Sequence, residues 1–206
     1  METGNLAQWA SAITGTIIAI LAVWGESIRS RLAGPRLMVS LLNPDGEKTT
    51  WTGPGIPTKP TRFYHLRVSN GRRSSPAKGV RIVLAGLART AADHSLTALP
   101  LTGPIQLTWQ FPRQSPQYPT IGPDHTCDLG HAEDGSGFSL STYLTPNNFQ
   151  GKIVQNQRMR VEIRGIAENC ESKALFLEIA WDGAWSEDTL DMRRHLVVKR
   201  VESIDD

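Results

Sequence analysis

An uncharged run near the start of the chain limits what this protein can fold into more than any other feature. Residues 6–24 contain no Asp, Glu, Lys or Arg, and Trp9 and Trp24 lie near the two ends of the run. A helix of this length spans about 28 Å, which is close to the hydrocarbon thickness of a bilayer, and aromatic rings are common at both membrane surfaces. We therefore expect residues 1–33 to form a transmembrane helix with a basic flank.

Two other interpretations of this segment stay open: a cleaved signal peptide, and a helix that is buried in a core or lies flat on a membrane surface. A signal peptide has a basic start and small residues at its cleavage site. Here Glu2 is the only charge before the run, and Glu26 and Arg29 after the run make a poor cleavage site. The sequence therefore favours a helix that spans the membrane.

Positive charge after the run predicts the orientation of this helix. Arg29, Arg31 and Arg36 follow the run, and no Lys or Arg precedes it. Because an excess of Lys and Arg marks the cytoplasmic side, we expect the N-terminus to face outward and the rest of the chain to face the cytosol. Residues 34–206 would then form a cytosolic domain, and the two cysteines, Cys127 and Cys170, suit its reducing surroundings.

Small and polar residues form one stripe along the helix, opposite most of its large apolar residues. At about 100° per residue, the stripe consists of Gln8, Ser11, Ala12, Gly15, Ala19 and Ala22. Small residues let helix backbones approach closely in lipid, so we expect the protein to form a homo-oligomer through this stripe. The alternative is that small residues are simply common in membrane helices.

Short apolar runs with turn-rich connections follow the helix, which should end at Gly34-Pro35. Alternating apolar residues recur in residues 37–41, 64–68, 80–84, 105–111, 159–163, 175–181 and 196–201. This period of two is typical of strands with one buried face, and about seven such strands predict a mainly β domain, an antiparallel β-sandwich. Trp109 and Trp181 are in phase with apolar neighbours, so we expect both in the core.

Two local features refine this fold prediction. Residues 63–84 resemble an immunoglobulin-like hairpin, with two strands around the turn-rich residues 70–76. Ser186 is a suitable N-cap for one short helix, with acidic residues in its first turn and arginines in its last, and Leu190 could pack on the sandwich. Residues 43–60 and 124–134 are interpreted as loops, the second of which precedes a hairpin turn at Asp134-Gly135.

Three short motifs carry a resemblance of the whole chain to a group of proteins. They are residues 119–123 (PTIGP), 145–149 (TPNNF) and 179–183 (IAWDG). The chain resembles uncharacterised bacterial single-pass membrane proteins with a C-terminal immunoglobulin-like β-sandwich. The resemblance implies this fold and topology in a bacterial inner (plasma) membrane, and it implies no known activity.

Charge and motifs argue against several classes of function. The formal net charge is only +2 and no concentrated basic patch is evident, so we expect no nucleic-acid partner. There is no phosphate-binding glycine loop and no G-x-S-x-G motif. His125, Cys127 and His131 could converge on a metal ion and support a metal-dependent hydrolase, but no second cluster at standard spacing accompanies them. We expect no cofactor and no catalytic residue.

A group of basic and aromatic residues forms the candidate ligand-binding set. It consists of Arg62, Arg67, Arg72, Arg73, Lys78 and Arg81, together with Trp51 and Trp185 in polar or turn-rich stretches. If the strands that carry the basic residues pair, their side chains share a face that could hold a small anionic ligand or a lipid headgroup. The alternative is an ordinary solvated sheet face.

Taken together, these features predict a membrane-anchored, non-enzymatic binding or sensor module that self-associates through its helix. A sharper form is a ligand-triggered effector of bacterial antiviral defence that perturbs the membrane, which rests on analogy of layout. The alternatives are the metal-dependent hydrolase and an accessory subunit of a larger membrane complex with a protein partner.

Overall fold

The computed structural model describes the backbone of residues 6–53, 56–72, 75–90, 95–111, 116–122 and 124–204. It describes the side chains of these residues except 6–7, 26–32, 51–53 and 56–58. The elements are α1 (Leu6–Ala33), β1 (Leu37–Leu41), β2 (Glu47–Gly53), β3 (Ile56–Asn70), β4 (Arg81–Thr90), β5 (Leu96–Leu99), β6 (Ile105–Gln106), β7 (Asp124–Glu133), β8 (Gly137–Leu140), β9 (Lys152–Ile153), β10 (Gln157–Ile166), β11 (Leu175–Trp181), α2 (Thr189–His195) and β12 (Leu196–Val201).

Helix α1 is long and apolar enough to cross a membrane over the window Gln8–Gly25, and none of that window is buried against the rest of the protein. The hydroxyls of Thr14 and Thr16 donate hydrogen bonds to the backbone carbonyls four residues earlier, each at 2.8 Å. These bonds satisfy the hydroxyl groups within the helix, which lowers the cost of placing them in an apolar medium. The helix is thus suited by length and composition to a bilayer.

The connection from α1 to β1 is short, and hydrogen bonds hold the backbone of its last residue, Arg36. The helix ends at Ala33, directly before Gly34-Pro35 as the sequence predicts. The backbone N–H of Arg36 donates to Oδ1 of Asn70 at 2.9 Å, and the carbonyl of Arg36 accepts from the N–H of Gly71 at 2.8 Å. The end of β3 therefore fixes the residues that leave the helix.

The strands of the described residues form two antiparallel sheets of six strands each. The first sheet has the order β1-β3-β7-β8-β9, with β2 also paired to β3, and the second has the order β12-β11-β10-β4-β5, with β6 paired to β4. Leu66 and Val68 of the first sheet and Ile82, Val161 and Leu177 of the second are fully buried in one shared core. The mainly β, two-sheet prediction is confirmed at this level.

Alternation assigns the faces of β3 and places the tryptophans as the sequence predicts. Tyr64, Leu66 and Val68 are buried in the core, so the side chains at 63, 65 and 67 lie on the opposite face of the first sheet. Trp109 and Trp181 are both only 4% exposed, which confirms their predicted core positions. The outer face of β3 therefore carries the side chains of Phe63, His65 and Arg67.

The predicted hairpin between residues 63 and 84 is wrong. Strand β3 pairs with β1, β2 and β7, whereas β4 pairs with β5, β6 and β10. The turn-rich residues that follow Asn70 therefore carry the chain from one sheet to the other. The first sheet has no vacant edge beside β3, because β1, β2 and β7 already occupy both of its sides.

Two segments interpreted as loops form strands. Residues 43–60 contain β2 and the start of β3, and residues 124–133 form β7, which pairs with β3 and β8. A bulge between Tyr64/Gly130 and His65/Asp128 leaves Leu129 as an extra residue, so the alternation of β7 changes phase there. The predicted turn at Asp134-Gly135 does join β7 to β8, and Gly135 has the positive φ of 70° that such turns favour.

Helix α2 begins later than the sequence predicts. Asp188, not Ser186, is the N-cap, and its carboxylate accepts from the N–H of Asp191 at 2.9 Å. Leu190 is 70% exposed, while Met192 is fully buried. The predicted packing of Leu190 on the sheets is therefore wrong, and Met192 takes the buried position.

Candidate ligand-binding pocket

A pocket of about 680 Å³ lies on the face of the first sheet that is turned away from the core. Its floor comes from alternate residues of β2, β3 and β7, which include Glu47, Phe63, His65, Asp128 and His131. Glu47 lies opposite Phe63 in the strand register, and Phe63 lies opposite His131. The three strands thus bring together side chains that are far apart in sequence.

One aromatic ring of this floor packs against two imidazole rings. The Phe63 and His131 ring centroids are 5.3 Å apart at an interplanar angle of 30°, and those of Phe63 and His65 are 6.2 Å apart at 10°. Rings at these separations pack favourably and hold one another in place. The floor therefore carries three rings in mutual contact, with Phe63 touching both imidazoles.

His65 is held between two carboxylates. Its Nδ1 atom lies 2.9 Å from Oδ1 of Asp128, and its Nε2 atom lies 3.4 Å from Oε2 of Glu47. His65 is only 5% exposed. The hydrogen bond to Asp128 raises the pKa of His65 above its ordinary value, against the opposing effect of burial. Both ring nitrogens face acceptors. This imidazole is therefore suited to joining the two carboxylates rather than to abstracting a proton from a ligand.

His131 has the opposite electrostatic character. Burial lowers the pKa of His131 below its ordinary value, although the charges of Glu133 and Asp128 act against this change, and Lys152 adds to it. Its Nε2 atom lies 3.6 Å from Oε1 of Glu133. The pocket therefore pairs an imidazole that favours its charged form with one that favours its neutral form.

The pocket wall comes from the segment after β6 and the segment after β8. Thr108 and Gln110 line it and alternate with the buried Leu107 and Trp109, as the sequence predicts. Phe111 breaks this alternation, because it is 62% exposed and its φ is +58°. A bulky residue with positive φ is strained, and such strain is concentrated at functional sites. Phe111 lines the pocket instead of joining the core.

The structure does not bring the three candidate metal ligands together. Cys127 lies opposite Leu66 and is fully buried in the core, and His125 packs edge-on against Trp109 at 5.9 Å between centroids. His131 lies on the other face, over Phe63, because the bulge in β7 changes the phase. Among the described residues, no group of three or more His, Cys, Asp and Glu side chains could hold a metal ion. Burial also raises the pKa of the Cys127 thiol well above its ordinary value.

The predicted basic face is not formed, because β3 and β4 belong to different sheets. Arg62 is fully buried, and its guanidinium donates to the carbonyls of Asp45 and Glu187 and to Oγ1 of Thr189. Arg67 lies on the opposite face of β3 in a two-pronged ion pair with Asp124, at 2.6 and 3.2 Å. The first side chain fastens α2 to the first sheet, and the second joins β3 to β7.

The other candidate binding residues are scattered. Arg72 donates to the carbonyl of Gly34 at 3.3 Å, Lys78 is exposed, and Arg81 lies 6.0 Å from the centre of the Tyr118 ring. Trp185 is partly buried against the core. The side chains of Trp51 and Arg73 lie outside the described residues. None of the candidate binding residues that the structure describes lines the pocket.

The residues of the helix stripe are exposed within the single chain. They are Gln8, Ser11, Ala12, Gly15, Ala19 and Ala22. A Cβ atom added at Gly15 would meet no atom within 4 Å. The stripe is therefore available for contacts outside the chain, as is the rest of this helix.

Sequence reasoning missed most of the pocket. Of the residues that line the pocket, only His131 belongs to a site that the sequence predicts, the candidate metal site. The sequence feature that indicates the pocket is Phe63. It is a large aromatic residue on the otherwise polar face of a strand whose other face carries Tyr64, Leu66 and Val68. The sequence matches no known protein family and no curated protein. The pocket must therefore be interpreted from its own chemistry.

Proposed function

We propose that this protein is a membrane-anchored, non-enzymatic binding protein that holds a small ligand in the pocket of its β domain. The observation that carries the proposal is the pocket itself, whose volume of about 680 Å³ lies within the range of small-molecule sites. It combines aromatic rings with a few convergent polar groups, as such sites do.

The chemistry of the pocket supports binding more than catalysis. The imidazole nitrogens of His65 face Asp128 and Glu47, and the Cys127 thiol is buried on the other side of the sheet. A nucleophile needs a neighbouring base and access to its substrate. The lining instead offers aromatic rings and hydroxyl groups, which suit stacking and hydrogen bonding to a ligand.

Helix α1 supplies the proposed anchor. Its window Gln8–Gly25 has the length and apolar composition of a membrane span, and arginines follow on one side only. We infer an inner-membrane protein whose β domain lies in the cytosol and whose helices associate. The immunoglobulin-like sandwich remains a prediction for this domain, supported by two antiparallel sheets that share one core.

The binding proposal is tested by retention of small molecules from a bacterial metabolite extract. Full-length protein in detergent is dialysed against the extract, and bound compounds are identified by mass spectrometry. Thr145 is exposed and lines the pocket, so Thr145→Trp should fill it without disturbing the core. Leu144 is 75% exposed and does not line the pocket, so Leu144→Trp is the matched control.

We expect a compound that the wild-type protein and Leu144→Trp retain and that Thr145→Trp does not. Equal retention by all three proteins, or retention by none, would overturn the binding proposal. The orientation is tested separately, by fusing a reporter that is active only in the cytosol to the C-terminus. An inactive reporter in intact cells, with full-length fusion present, would overturn the cytosolic placement.

A further inference from the structure

The described lining of the pocket contains carboxylates but neither lysine nor arginine. Glu47 and Asp128 line it, and the side chain of Glu47 is 67% exposed, with its carboxylate 3.4 Å from Nε2 of His65. The side chain of Asp128 is 13% exposed and engaged with His65. Proteins hold phosphate and carboxylate groups with guanidinium, ammonium or backbone N–H groups. An anionic ligand would meet two carboxylates here instead.

The charges that act on His131 do not reverse this balance. Lys152 acts on His131, and so does Glu133, whose carboxylate lies 3.6 Å from the imidazole. One positive and one negative charge therefore offset each other near His131. The carboxylates of Glu47 and Asp128 flank a single imidazole, so the described lining carries excess negative charge whichever form His65 takes, which favours a cation.

The rings determine the shape that such a cation should have. The ring of Phe63 packs against the rings of His65 and His131, and Phe111 is 62% exposed where it lines the pocket. Flat rings stack on flat ligands, and the face of a phenyl ring attracts positive charge. The positive φ of Phe111 holds its ring out of the core at an energetic cost, which suits a role in covering a ligand.

We propose that the pocket accepts a planar organic cation, such as an aromatic amidine, a guanidine or a protonated nitrogen heterocycle, which stacks on Phe63 with its positive end toward Glu47. This inference rests on the proposed binding function and names the chemical class of the ligand. It replaces the small anionic ligand that the sequence suggests.

Three molecules of nearly equal shape test the charge preference. Benzamidine is a planar cation, benzamide is its neutral counterpart and benzoate is the corresponding anion. Binding to full-length protein in detergent is followed by the imidazole NMR signals of His65 and His131, which report only from the pocket floor. We expect saturable shifts with benzamidine, weaker binding of benzamide and no binding of benzoate at millimolar concentrations.

Two variants locate the effect. Glu47→Gln should weaken benzamidine binding about fivefold and leave benzamide unchanged, since only the charge contact is lost. Glu202→Gln removes an exposed carboxylate outside the pocket and should change neither. Phe111→Ala should weaken both ligands, because both rings lose the same stacking surface.

The possible results separate this inference from the function on which it rests. If benzoate shifts the imidazole signals at least as strongly as benzamidine, or if no probe shifts them, the cation class is overturned. The binding function would still stand if Thr145→Trp abolishes retention of a metabolite that Leu144→Trp retains. If that retention difference is also absent, the binding function falls as well.

Discussion

Nδ1 of His65 lies 2.9 Å from Oδ1 of Asp128, and this hydrogen bond joins β3 to β7 beneath the pocket. The pair lies at the bulge, where the register between the two strands changes. It therefore contributes both to the electrostatics of the pocket and to the cohesion of the first sheet. The first prediction concerns this pair.

Asp128→Asn should lower the pKa of His65 toward its ordinary value, because the bond to Asp128 is the largest cause of its elevation. A raised folded-state pKa stabilises the protein below about pH 6.5, and the gain is lost as pH rises through the folded-state pKa. We expect the variant to lose about 1–3 kcal/mol at low pH and less at high pH. NMR titration and urea unfolding measure both quantities, and an unchanged His65 pKa would contradict the assignment.

His131 should produce the opposite pH dependence. Burial lowers its folded-state pKa, so the stability it confers is present above about pH 6.5 and is lost as pH falls toward that folded-state value. His131→Phe keeps a ring over Phe63 and removes the titration. The variant should therefore lose less unfolding free energy than the wild-type protein between neutral and mildly acidic pH. Parallel losses in both proteins would show that His131 does not titrate there.

Arg62 should act on stability, not on ligand binding. It is fully buried and donates to two backbone carbonyls and one hydroxyl group, which join β3 to the segment before α2. Arg62→Ala should lower the free energy of unfolding by about 3–5 kcal/mol, because it leaves a cavity and unpaired carbonyls. Arg62→Met fills the space and should cost less. A folded Arg62→Ala protein with wild-type stability would contradict this role.

Gly15→Leu should reduce self-association. Within one chain an added side chain at Gly15 meets nothing, so any effect on assembly must arise between molecules. Light scattering of the full-length protein in mild detergent measures the oligomer size. Ala10→Leu adds similar bulk on the side of the helix about 140° away and should leave the size unchanged. Equal oligomers in both variants would remove the basis for packing through this stripe.

The sequence predicts the helices and strands that have a repeating pattern of apolar residues or a clear end signal within one segment. The uncharged run, the Gly34-Pro35 helix end and the alternation around Leu66, Val161 and Leu177 all correspond to observed helices, strands and core positions. Their signal is a period within one segment, which reflects burial on one face. This periodic signal is present wherever a single segment buries one of its faces in the core.

The missed elements lack such a period. Strand β2 begins Glu-Lys-Thr-Thr and has no alternating apolar residues, so its sequence is typical of a loop. In β7 the bulge moves the buried phase from Cys127 to Gly130 and Ala132, which hides the alternation. The pocket depends on the pairing of β2, β3 and β7, so no local pattern contains it. Its residues become neighbours only through the register of strands that are distant in sequence.

Strand β3 carries Phe63 and His65 in the pocket and ends at Asn70, whose side chain holds the backbone of Arg36. Only residues 34–36 separate α1 from β1, a connection of at most about 11 Å. A single strand thus carries the pocket residues and, five residues after His65, the side chain that holds the exit from the membrane helix.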